Sequence, residues 1–145
     1  MTDQLSKKAF SRDLRQVREL PEAGRWNFQD GSDLEVLVTM FPANAPDQLF
    51  DLRLVWDIYP DNPPSLKFRD RETGRLDNPH AWPQLPGYRP TSLDACVNYC
   101  REGFVTHPEW VNDPNLRWKP EGNVLLFVLR TVQAELDLNF GDRHP

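Results

Sequence analysis

Cysteine is scarce in this chain: two in 145 residues, Cys96 and Cys100, four positions apart. The three histidines, His80, His107 and His144, form no cluster beside them. Two such cysteines make a poor zinc site, and a disulfide is the weaker reading for such a pair in a reducing compartment. Long apolar runs are missing too. No stretch reaches the roughly 20 consecutive apolar residues that a membrane-spanning helix needs. Residues 1–8 lack the apolar segment of a secretory signal, so the expectation is a soluble, cytoplasmic chain without a membrane partner. Positive charge is not in excess: 17 Lys and Arg stand against 22 Asp and Glu, for a net charge of −5. That balance argues against nucleic acid as a partner. Internal repeats and low-complexity segments are also lacking.

What the chain does have is enough apolar material for one core. Hydrophobic residues make up 39% and aromatic residues 11%, which excludes a disordered chain. The length suits a single domain over residues 1–145. Proline is the skewed residue, 14 in all, and ten of these lie between Pro60 and Pro120. The sequence thus divides into a regular first part, an irregular middle and a helical end.

The first helix is expected from about Asp3 to Leu20, because Phe10, Leu14 and Val17 recur at helical spacing and Pro21 ends it. Its other face carries Lys7, Lys8, Arg12, Arg15 and Arg18. Four strands are predicted next, at 25–28, 34–41, 49–56 and 65–68, with Asp30-Gly31 as a hairpin turn. Short connections make them an antiparallel meander. From Arg69 to about Leu116 no periodicity persists, and a stretch of that length in a compact domain points to a functional loop. A last helix is predicted from about Glu121 to Leu136, on the repeat of Val124, Leu125, Val128, Leu129, Val132 and Leu136. The fold class is α+β: helix, four-stranded meander, long loop and helix.

Two landmarks flank Cys100. Upstream, Asp57-Ile58-Tyr59-Pro60-Asp61-Asn62-Pro63-Pro64 closes the third strand with a proline-fixed turn. Downstream, Arg117-Trp118-Lys119-Pro120 opens the last helix. This order of helix, meander, Tyr-Pro-x-x-Pro-Pro, loop cysteine, Trp-x-Pro and helix resembles the ubiquitin-conjugating enzyme family from about residue 3 to 142. Three departures are visible. The family's His-Pro-Asn motif, whose asparagine supports the reaction intermediate, is absent as such; Asn78-Pro79-His80 is a reversed echo. The stretch between Cys100 and Trp118 is long, with His107-Pro108 inside it. The family's last two helices are absent. This abbreviated plan resembles compact bacterial relatives found in antiphage operons beside a ubiquitin-like modifier and its activating enzyme.

The resemblance implies a site. Cys100 would carry a ubiquitin-like modifier as a thioester, received from an activating enzyme and passed to an amine on a target protein, with no metal or organic cofactor. A thiolate is the attacking species, so the cysteine needs access. Asp142, in Leu138-Asn139-Phe140-Gly141-Asp142, falls where the family places a carboxylate at the mouth of the site; it would orient or deprotonate the incoming amine. Asn78 is the first candidate for the missing oxyanion donor, with Asn98 and His80 behind it. Lys7, Lys8, Arg12 and Arg15 would meet an acidic surface of the activating enzyme. Plainer readings stand beside each. Cys100 is a buried structural thiol, Asp142 a solvated carboxylate, Asn78 a turn residue and the basic face a solvated one. For Cys96, with Leu93, Ala95 and Val97 around it, packing is expected. Two rival functions remain open: a non-catalytic relative of the same fold that binds a partner, and an unrelated thiol enzyme built on Cys100 and His107.

Overall fold

The computed structural model describes residues 3–145, apart from the side chain of Asp30. Helix α1 covers Gln4–Arg18. Asp3 starts it: its carboxylate accepts from the Ser6 N–H at 2.7 Å and the Ser6 hydroxyl at 2.8 Å, satisfying a donor that the first turn leaves free. Ser6, Phe10, Asp13 and Val17 form the buried stripe, and Leu14 is half-buried beside it. The helix is shorter than the sequence predicts because the chain tightens into a single 3₁₀ turn at Pro21–Arg25.

Strands β1 (Asn27–Asp30), β2 (Glu35–Met40), β3 (Phe50–Val55) and β4 (Ser65–Arg69) form the expected four-stranded antiparallel sheet in sequential order. Register sets its two faces. Val36 opposes Leu54, Val38 opposes Leu52, Met40 opposes Phe50, and Leu52 in turn opposes Phe68. These side chains lie on one buried face and share a core with Leu125, Leu129, Val132 and Leu136. The other face is polar: Thr39 and the Arg71 guanidinium both donate to the buried Asp51 carboxylate at 2.7 Å.

Helix α3 covers Val124–Asn139, starting later and ending later than the periodicity predicts. Asn123 caps it, accepting from the Leu126 N–H at 3.0 Å. Arg25 ties its far end to the sheet. Both Nη atoms donate to Asp137, at 3.0 and 2.9 Å, and Asp137 also accepts from the Ala43 N–H.

The middle of the chain is more regular than its sequence. Between β4 and α3 lie a 3₁₀ turn at Pro79–Ala81, a two-residue hairpin of β5 (Tyr88–Arg89) and β6 (Asp94–Ala95), helix α2 (Arg101–Thr106) and a 3₁₀ turn at Pro108–Asn112. Each element is too short to show a period. Aromatic packing holds them: Phe68, Trp82 and Tyr88 contact one another with ring centroids 5.3 to 6.4 Å apart.

The two sequence landmarks meet. Trp118 Nε1 donates to the Pro60 carbonyl at 3.0 Å, and the Arg101 N–H donates to the Pro64 carbonyl at 2.7 Å. Tyr59 lies under this junction, 2% exposed. Its hydroxyl donates to Asp13 Oδ2 at 2.5 Å and accepts from the Leu125 N–H at 3.2 Å, while its own N–H donates to the Ser6 hydroxyl. Burial and the Asp13 carboxylate together push the phenol far above its ordinary pKa, so it stays a donor.

Replacing Tyr59 by Phe leaves the buried Asp13 Oδ2 without its donor and the Leu125 N–H without its acceptor. A loss of about 2 to 3 kcal/mol in urea unfolding is expected, with the fold retained. Gly103, in α2, offers a second check: a Cβ there would lie 1.9 Å from the Val97 carbonyl oxygen, which is backbone and cannot swing away. Gly103→Ala is expected to lose about 1 to 3 kcal/mol, read in the same titration.

Candidate functional site

The β5–β6 hairpin positions both cysteines. Tyr88 pairs with Ala95 and Arg89 with Asp94, and the ladder extends one step further as the Cys96 N–H donates to the Gly87 carbonyl at 2.7 Å. Cross-strand partners share a face. Tyr88 and Ala95 therefore point into the core, 5% and 0% exposed, while the exposed Gly87 and the half-buried Arg89, Asp94 and Cys96 belong to the opposite face. Gly87 has a φ of +86°, which glycine adopts without strain, and a Cβ there would come within 3.0 Å of the Cys96 carbonyl oxygen and of Val97.

Four residues later the chain turns into α2 with Cys100 at its N-cap. Cys100 is 0% exposed, and its Sγ donates to the Ala95 carbonyl at 3.2 Å. Burial pushes its thiol up to about 12, and the nearby Glu102 carboxylate adds to the effect. Glu102 is itself fixed, accepting from the Ser65 hydroxyl at 2.6 Å and the Leu66 N–H at 3.0 Å.

The sequence expects an accessible thiol at Cys100 and a packed one at Cys96; burial contradicts the access expected of Cys100 alone. Cys96 is half-buried and Cys100 fully buried. The reason is alternation. Apolar Ala95 and Val97 on either side of Cys96 argue that Cys96 faces away from the core, since neighbours on an extended chain point to opposite sides.

Asn78 and Asp142 lie elsewhere. Asn78 caps the Pro79–Ala81 turn, accepting from the His80 N–H at 3.1 Å and donating to Asp70 at 2.6 Å. Asp142 is exposed, and its Oδ1 accepts from the Arg143 N–H at 2.8 Å. Their segments do meet each other. Arg143 Nη1 donates to the His80 carbonyl at 2.8 Å, and His80 Nδ1 lies 2.8 Å from the His144 carbonyl oxygen. Among the described residues no hydrogen bond joins either of them to Cys96 or Cys100. The turn-residue reading of Asn78 thus accounts for its side chain. His107 stacks on Trp110 with centroids 4.5 Å apart and pairs with Glu109 at 3.0 Å, so no Cys100–His107 pair forms.

On α1, Lys8, Arg12 and Arg15 are exposed, and Lys7 is half-buried with Asp33 at 3.6 Å. Arg12 touches the buried Asp13 at 3.2 Å. Among the described residues, no group of His, Cys, Asp and Glu is gathered to hold a metal ion, and no helix is long and apolar enough to cross a membrane.

Residues that sequence reasoning passed over are Gly87, Arg89 and Asp94. Their only signal is the alternation about Tyr88 and Ala95, and two-residue strands are too short for alternation to stand out. Scanned against protein-family models the chain matches none, and no curated protein matches it in sequence.

A native sample treated with a thiol-reactive disulfide reagent near pH 8 is expected to release one equivalent rapidly, lost in Cys96→Ala, and a second only on unfolding. Cys100 also sets a pH dependence. The unfolded chain gives up this proton near 9 and the folded chain keeps it until about 12. The folded state therefore holds more protons in that window, and stability falls as pH rises through it, by at most about 1.4 kcal/mol per pH unit from this group. Urea titrations from pH 8.5 upward are expected to show a shallower decline in Cys100→Ala.

Proposed function

We propose that this chain is a thioester carrier of the ubiquitin-conjugating type, with the acyl group borne on Cys96 rather than on Cys100. The observation that carries this is the half-buried position of Cys96, at the end of the β5–β6 hairpin, against the complete burial of Cys100. Transthiolation needs a thiolate that a partner's thioester can reach. Cys96, only half-buried, is the more accessible of the two; Cys100, held protonated with its sulfur on a backbone carbonyl, is closed off. The convergence of the Tyr59–Pro64 turn with Trp118 and with the start of α2 supports the resemblance, because those are the motifs on which it rests.

In this reading a ubiquitin-like modifier reaches Cys96 from the cysteine of an activating enzyme, which spends the ATP, and leaves to an amine of a target protein. Exposed Lys8, Arg12 and Arg15, with Lys7 beside them, supply a basic face for an acidic surface of the activating enzyme. Asp142 is free to take solvent or a ligand on the carboxylate oxygen that does not bind Arg143.

A second reading has its own support. Asn78 is engaged in a turn and Cys100 is packed away, as a partner-binding module without transfer activity would allow. A charging assay separates the two. The chain is mixed with ATP, a ubiquitin-like modifier and the activating enzyme encoded beside it, and run on non-reducing gels with and without thiol. A thiol-sensitive adduct that survives Cys100→Ala and vanishes in Cys96→Ala is expected. No adduct from an activating enzyme that is itself charged would favour the binding module.

A further inference from the structure

On the same hairpin face as Cys96 lies an arginine with part of its hydrogen-bonding capacity unspent. Arg89 is paired with Asp94 in the hairpin, and Gly87 is the residue opposite Cys96. Arg89 is thus the diagonal neighbour of Cys96 on one face, a separation of about 7 to 8 Å between side-chain bases that a long side chain bridges. Its guanidinium is fixed on one side only. Nε donates to Asp94 Oδ1 at 2.8 Å, and Nη2 donates to Asp94 Oδ2 at 2.7 Å and to Thr106 Oγ1 at 3.3 Å. The two N–H groups of Nη1 have no protein partner among the described residues, and the side chain is 39% exposed. The pairing with Asp94 is the main influence holding the guanidinium charged.

We propose that Arg89 supplies the hydrogen-bond donor for the oxyanion formed at a Cys96 thioester. This rests on the carrier reading above and assigns the role that its missing asparagine leaves open. When an amine attacks, its nitrogen bonds to the thioester carbonyl carbon and the C=O π pair moves onto oxygen. Collapse restores the C=O and breaks the C–S bond; Cys96 leaves as the thiolate with that electron pair, and the amine's extra proton goes to water. The negative charge exists on oxygen only between these events. A guanidinium already anchored by Asp94 and Thr106 needs little reorganisation to meet it, which is what makes a preset donor effective. Asp94 and Thr106 are positioning residues in this scheme.

The test uses a short synthetic peptide ending in glycine, supplied as its arylthioester, which charges Cys96 by thiol exchange with no activating enzyme. The adduct is counted by intact mass, excess peptide is removed, and discharge to free lysine is timed. Arg89→Ala is expected to slow discharge about 10²-fold, the usual scale for one oxyanion donor, with Arg89→Lys recovering part of the loss and Asn98→Ala near wild type. Alkylation of uncharged Cys96 by iodoacetamide passes through no oxyanion and is expected to change far less than discharge in all three. Discharge unaltered by Arg89→Ala, a larger loss in Asn98→Ala, or alkylation falling in step with discharge would each overturn the assignment. No thiol-sensitive adduct on the wild-type chain would instead overturn the carrier reading beneath it.

Discussion

One buried hydroxyl fixes the geometry on which the rest depends. Tyr59 takes part in three attachments at once: to Asp13 in α1, to the backbone of the first turn of α3, and through its own N–H to Ser6. A buried polar group without partners costs more than its hydrogen bonds return, so all four groups must be present together. Asp13 would be an unfavourable residue on the apolar stripe of α1 without the phenol, and the phenol would be a poor core residue without Asp13. Asn123 extends the junction by donating to the Asp13 carbonyl at 3.0 Å while capping α3. The two helices are thus locked to the turn that follows β3.

That turn in turn carries the cysteine region. Pro60 and Pro64 have no N–H to offer, but their carbonyls accept from Trp118 and Arg101, so a turn poor in donors becomes a docking edge for the loop and for α2. Glu102 adds a carboxylate clamp on the edge of β4, and Gly103 lets α2 lie directly on the Val97 carbonyl. The result is a cysteine pair of unequal burial. Cys100 is a packing residue that closes the core at the helix start, and Cys96 stands on the outer face of the hairpin. Charged side chains hold the remaining loops: Arg143 Nη2 donates to the Leu49 carbonyl at 2.9 Å while its guanidinium lies 4.2 Å from the centre of the Phe50 ring.

The regular elements were legible because their periods run long enough to be counted. Sixteen residues of α3 and six each of β2 and β3 repeat the apolar pattern several times. The hairpin and α2 were not legible, since two-residue strands and a six-residue helix contain no full repeat. The site suffered most from this. Proximity to Trp118 along the chain selected Cys100, whereas the side of the hairpin decides exposure. Asn78 echoes a motif in the sequence, but its amide is spent on Asp70 and on the turn it caps.

By itself the sequence determined the α+β class, the order of helix and meander, the core residues of α3, and the importance of the Tyr59–Pro64 turn and Trp118. Local periodicity and proline chemistry are enough for those, because each is set by residues close in the chain. Tertiary structure alone decided which thiol is buried, that Asp13 belongs inside, and that Arg89 and Cys96 fall on one face of the hairpin. These depend on which distant segments share a face, and burial is a property of that shared surface rather than of any one residue.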